Sequence, residues 1–138
     1  MDSDGATIVT VNNRLNDGRG GELIIFTRTG TVWTKRAHIY HDSEDARYTG
    51  AKITADGNYV YVNYGWGNAA IRVFKRDNVE GTSWSFSENI TRQNLSGLSP
   101  ALPSTNSFLL GAVNKDGKII AASTEDSSVG SGVYMIKT

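Results

Sequence analysis

The sequence contains no cysteine. That excludes disulfides, zinc-thiolate centres, iron–sulfur clusters and cysteine nucleophiles, although it leaves an oxidising compartment open, because many secreted proteins manage without bridges. Net charge is missing too: fourteen Lys plus Arg stand against fourteen Asp plus Glu. No global field concentrates such a chain on phosphate or on an anionic bilayer, so neither nucleic acid nor membrane insertion is expected. Long apolar runs are absent, since stretches such as Leu23-Ile24-Ile25-Phe26 fall far short of the roughly 20 residues of a membrane-spanning helix. The start, Met1-Asp2-Ser3-Asp4-Gly5, is acidic and polar and shows no signal peptide, which needs a basic start and an apolar core of about 7–15 residues. At 138 residues the chain suits one domain over residues 1–138.

Helical periodicity is also nearly absent. Apolar residues arrive in short bursts rich in Val, Ile, Tyr, Phe and Thr, separated by Gly, Asn and Asp, which is the pattern of strands and turns and predicts an all-β fold. The candidate strands are Ala6–Asn12, Glu22–Arg28, Val32–Ala37, Tyr48–Thr54, Asn58–Asn63, Ala70–Arg76, Trp84–Asn89, Phe108–Asn114, Lys118–Ser123 and Val133–Thr138.

These strands repeat. Asp-Gly occurs at Asp4-Gly5, Asp56-Gly57 and Asp116-Gly117, spaced 52 and then 60 residues apart, each time before an apolar strand. A second strand recurs as Glu22–Arg28, Ala70–Arg76 and Val133–Thr138, with Phe26, Phe74 and Ile136 aligned. A third element carries tryptophan, in Gly30-Thr31-Val32-Trp33 and Gly81-Thr82-Ser83-Trp84, and a fourth places Tyr48 and Phe108 eight residues before Asp56 and Asp116. The unit is a four-stranded antiparallel meander of about 50 residues, the size of one propeller blade. Asp-Gly supplies the positive φ of a two-residue hairpin turn, and the aromatics fill the space between neighbouring sheets.

The run from Tyr48-Thr49-Gly50 through Asp56-Gly57 to Val62 resembles the integrin-α-like FG-GAP β-propeller repeats, and Ile71–Arg76 to Trp84 looks like the later strands of the same repeat. The resemblance covers most of the chain and implies β-propeller-like repeats. The Gly-Ala-Pro element of that family is missing, and no loop offers the evenly spaced carboxylates with which some such repeats hold calcium. Calcium binding is therefore not implied.

Numbered from the centre outward, the strands read 2-3-4, then 1-2-3-4, then 1-2-3: about two to two and a half blades, where closed propellers have roughly four to eight. The first and last strands should expose unpaired backbone groups and half-covered aromatic faces, which drives strand pairing in trans. With Met1 at one end and a matched strand running to Thr138 at the other, the chain is read as a small protein whose blades are completed between subunits. The assembly edge strands would be Ile8, Val9 and Val11 at one border and Val133, Tyr134, Met135 and Ile136 at the other. The competing readings are an excerpt of a larger propeller and a small closed sandwich or barrel.

Residue patterns that carry chemistry are few. No Gly-x-Ser-x-Gly elbow is present. Gly111 to Lys118 has the wrong spacing for a phosphate loop, with Ile119 in place of the magnesium-binding hydroxyl. Gly18-Arg19-Gly20-Gly21 lies between strands, with no helix to form a dinucleotide cradle. His38 and His41, followed by Asp42, Glu44 and Asp45, are the best metal-like cluster, but an offset of three on a strand points the two imidazoles to opposite faces. Asp2 and Asp4 suit a turn better than a calcium loop. Tyr64, Trp66 and Asn68, on a glycine-flexed loop, could stack on and hydrogen-bond a sugar, or could plug a contact between blades or subunits. Asn89-Ile90-Thr91 and Asn94-Leu95-Ser96 match the N-glycosylation pattern, and the segment Ser87 to Asn106 reads as a surface insertion. The sequence thus predicts a non-enzymatic structural protein without cofactor or metal, self-assembling into a ring, tube or filament, and extracellular, at a cell surface or in a virion. The alternative is a carbohydrate-binding, lectin-like module with a glycan as partner.

Overall fold

β-branched and aromatic residues enrich most apolar bursts, and each burst is a strand in the computed structural model, which describes residues 1–12, 21–41, 47–65, 70–91, 108–124 and 132–137. The strands are β1 (Thr7–Asn12), β2 (Glu22–Thr29), β3 (Val32–Tyr40), β4 (Arg47–Ile53), β5 (Tyr59–Gly65), β6 (Ala70–Arg76), β7 (Trp84–Thr91), β8 (Phe108–Val113), β9 (Ile119–Thr124) and β10 (Gly132–Lys137). No helix occurs among the described residues. Every predicted strand has its counterpart. The largest difference is β3, which runs three residues past Ala37 because Ile39 pairs with Leu23 and packs against the same core.

The strands form three antiparallel meanders: a first sheet β1-β2-β3, a middle sheet β4-β5-β6-β7 and a last sheet β8-β9-β10. Their register repeats as the alignment of Phe26, Phe74 and Ile136 implies. Ile8 opposes Phe26, Val60 opposes Phe74 and Ile120 opposes Ile136, while on the other face Val9 opposes Ile25, Tyr61 opposes Val73 and Ala121 opposes Met135. Even the irregularity recurs: the β2–β3 ladder bulges just before Phe26, and the β6–β7 ladder just before Phe74.

The Asp-Gly turns are built alike, but they are longer than two-residue hairpins. In the middle sheet the Thr54 N–H donates to the Tyr59 carbonyl at 2.9 Å, closing a loop over residues 55–58, and the Gly57 N–H donates to the Thr54 carbonyl at 3.0 Å. Asp56 accepts from the Asn58 N–H at 3.0 Å, and the Thr54 hydroxyl oxygen accepts from the Tyr59 N–H at 3.0 Å. The same bonds link Asp2, Asp4, Gly5, Ala6 and Thr7, and again Asn114, Asp116, Gly117, Lys118 and Ile119. The glycines take φ of 69°, 71° and 77°, a left-handed conformation that costs an L side chain about 1–2 kcal/mol. The extra two residues are what let the side-chain acceptor two positions before each Asp reach the N–H that opens the next strand.

The middle sheet is buried on both sides, which explains the uninterrupted run Val60-Tyr61-Val62, exposed by 0%, 4% and 0%. Val60, Val62 and Phe74 pack towards Leu23 and Ile25 of the first sheet, with Tyr48 between them. Tyr61, Ile71 and Val73 pack towards Ile120, Ala122 and Ile136 of the last sheet. Polar ties cross both junctions. The Tyr61 hydroxyl donates to the Gly117 carbonyl at 3.0 Å, the Leu110 N–H donates to Asn63 Oδ1 at 3.0 Å, and the Ser3 hydroxyl donates to the Ala55 carbonyl at 2.7 Å.

Candidate functional site: the open faces of the outer sheets

Strand alternation divides each sheet into two faces, and the repeat gives each face a type. One type carries Val60 and Phe74 in the middle sheet and Ile120 and Ile136 in the last. The other carries Val9 and Ile25 in the first sheet and Tyr61 and Val73 in the middle one. At both internal junctions a face of the second type covers a face of the first type. Among the described residues one face of each type is left uncovered: that of the first sheet, with Ile8, Ile24 and Phe26, and that of the last sheet, with Ala121 and Met135.

The two aligned tryptophans measure the difference. Trp84, opposite Arg76 on β6, packs on the core between the first and middle sheets and donates its indole N–H to the Gly81 carbonyl at 3.0 Å. Trp33 holds the same position opposite Arg28 on β2, yet it is 39% exposed, with the Arg28 guanidinium 5.6 Å from its ring centroid. Met135 is 60% exposed, whereas its counterparts Ile25 and Val73 are 0% and 2% exposed. The sequence shows two like tryptophans; only the sheet packed over one of them tells them apart.

The residues predicted at the borders fall in two groups. β1 and β10 are outermost in their sheets, each hydrogen-bonded to one neighbouring strand among the described residues. Ile8 and Met135 point to the uncovered faces, whereas Val9, Val11 and Ile136 turn inward and pack into the two cores. Val133 and Tyr134 lie on β10 opposite Ser123 and Ala122. Tyr64 is part of β5, opposite Tyr48 and Ala70, rather than on a loop. Trp66 and Asn68 lie outside the described residues, as do Asp42, Glu44, Asp45 and Asn94. Two of the three residues of the proposed sugar site thus lie outside the described residues.

A charged cleft of about 350 Å³ lies where the first two Asp-Gly turns meet, lined by Asp2, Asp4, Asp56, Arg28, Arg36 and Arg76 among others. Its groups serve the turns. Arg76 donates to the carbonyls of Asn78, Gly57 and Val79, Arg36 donates to the Thr27 hydroxyl, and Asp2 accepts from the Thr7 N–H. The Ala6 N–H holds the Asp4 carboxyl below the usual range. Burial pushes Asp56 the other way, but the Thr54 hydroxyl and Asn58 N–H outweigh it and the net shift is downward. At Asp116 the Lys118 N–H lowers the carboxyl in the same manner. Such carboxylates stay ionised and cap turns; none is poised to exchange protons near neutrality.

His38 stacks on Tyr40 and approaches Glu22 at 3.4 Å, while His41 meets the edge of Tyr48. Among the described residues no three His, Asp or Glu side chains converge as metal ligands. Sequence reasoning gives Asp2 to a turn but misses its counterparts Thr54 and Asn114, although an oxygen-bearing side chain two residues before each Asp is the available signal. The cross-sheet bond from Tyr61 to Gly117 had none. No protein-family model, curated protein or solved structure matches the chain.

Proposed function

We propose that this protein is a non-enzymatic structural subunit that associates with copies of itself through its outer sheets. It is built of propeller-like repeats of the FG-GAP kind and works at a cell exterior or in a virus particle. One observation carries the reading: the central strands β5 and β6 of the middle sheet are covered on both faces, while equivalent faces of the first and last sheets, at Trp33 and Met135, stand open. Burying such apolar faces is favourable by about 25 cal/mol for each Å² removed from water, and monomers rarely display them without a partner. The open edges of β1 and β10 add unpaired backbone donors and acceptors, the groups that strand addition uses. In the cleft Arg76, Asp2 and Asp56 are engaged in holding turns, and Arg36 bonds the Thr27 hydroxyl.

Negative-stain microscopy of the purified chain tests the proposal, with rings, tubes or filaments expected. Removing residues 133–138 takes away β10 and Met135 with it and should abolish higher-order species. Discrete monomers at micromolar concentration in the intact chain would refute it.

A further inference from the structure

We propose, building on the self-assembly reading, that the association is head to tail: the open face of the last sheet in one copy covers the open face of the first sheet in the next. The template is inside the molecule. The first sheet covers the middle one, and the middle sheet covers the last, each time through a Tyr61-type face laid on a Val60-type face. The two faces left over are one of each type. Laid together, they repeat the same junction a third time, so that the sheets of successive copies continue one series.

The side chains suit this pairing better than either face paired with itself. The first sheet's open face carries the bulk, in Ile8, Ile24, Phe26 and Trp33. The last sheet's open face is low at its centre, where Ala112 lies opposite Ala121, with Met135 beside them and Ile119 and Lys137 at the strand ends. Large on small lets side chains interdigitate at the density of a protein core, whereas two bulky faces would collide and two small ones would leave voids. Trp33 would then acquire the cover that Trp84 already has. Because the two surfaces differ, the contact is heterologous. It closes into a ring if the rotation between copies allows and otherwise extends as a filament.

The absence of cysteine makes the test clean. Thr10 lies exposed on the first sheet's open face, opposite Ile24 and in the place that Val62 holds in the middle sheet. The variants Thr10→Cys and Met135→Cys, both conservative and at exposed sites, are treated with a short bis-maleimide cross-linker, alone and mixed. The expected result is no covalent dimer from either variant alone, a one-to-one dimer from the mixture, and a ladder of multimers from the double variant. In parallel, Trp33→Ala should weaken association at least about ten-fold, as for a central aromatic anchor, while Val79→Ser, at an exposed apolar residue of a turn, should leave it unchanged. If the wild-type chain associates but either variant cross-links to itself as readily as in the mixture, or the mixture gives no dimer, the head-to-tail arrangement is wrong and self-assembly stands. If the wild-type chain does not associate at all, both fall.

Discussion

The middle and first sheets are two copies of one local design with different surroundings. Both pair Phe with a β-branched residue, bulge before that Phe, and set a Trp opposite an Arg. In the middle sheet the Trp lies against a core and in the first it is open to solvent. Strand propensity, turn chemistry and register are therefore local properties that the chain writes several times, whereas burial is conferred by the neighbouring sheet. The outer sheets therefore present core-type residues on open faces in the ordinary course of repeating a core pattern. No separate recognition motif is needed.

The sharpest way to separate local from conferred stability is a pair of glycines. Gly117 and Gly30 both have positive φ, 77° and 59°. A Cβ on Gly117 would come within 2.3 Å of the Tyr61 hydroxyl, while one on Gly30 would meet nothing within 4 Å. Gly117→Ala is expected to cost about 3 kcal/mol or more, from backbone strain plus overpacking, and Gly30→Ala about 1 kcal/mol, from strain alone. Urea denaturation measures both, and equal losses would show that the junction between the middle and last sheets contributes little.

The tryptophans extend the comparison. Trp84→Ala should destabilise the dilute protein by about 2–3 kcal/mol through lost packing and a lost indole hydrogen bond, and Trp33→Ala by less than about 1 kcal/mol. Thermal or urea unfolding at the lowest practical concentration reads the difference, which should narrow as concentration rises if association buries Trp33.

Tyr61 gives a titration across the covered junction. Burial, reinforced by Glu88 and other neighbouring acidic groups, pushes its hydroxyl up to about 12 from 10.0. The folded-state value is the higher one, so the stability that Tyr61 contributes is complete below pH of about 10 and is lost as pH climbs towards 12. Tyr61→Phe should remove one buried hydrogen bond, costing about 1–2 kcal/mol at neutral pH, and should flatten that alkaline decline in the urea midpoint. A decline of unchanged steepness would mean that the hydroxyl is not buried at this junction.

The smallest effect belongs to the turns. The Asp56 and Asp116 carboxyls are held below their ordinary value, so their contribution is present above the usual carboxylate range and fades as pH falls through it. Asp116→Asn keeps an oxygen acceptor for the Lys118 N–H and removes the charge. The expected outcome is near wild-type stability at neutral pH and a shallower acid limb in the urea midpoint.

Much of this architecture could be read from the residues, because its elements are local. Asp-Gly before an apolar strand marks the same turn at each recurrence, and Val60-Tyr61-Val62, apolar without alternation, marks a strand covered on both faces. Asp-Gly alone implies a two-residue turn and does not reveal that Thr54 and its counterparts extend the hydrogen-bonded loop by two residues. Tyr64, followed by Gly65 and Gly67, reads as a loop residue in the sequence, whereas pairing with Tyr48 carries β5 through it. The open faces were the least legible part. Trp33 and Trp84 share their local sequence context, and only contacts from a distant part of the chain distinguish them.

Sedimentation velocity over a concentration series of the wild-type chain tests the central claim most directly. The account predicts a mass that rises from the 15.0 kDa monomer through successive multimers as concentration increases. A single species of monomer mass at every concentration up to the high micromolar range would contradict it.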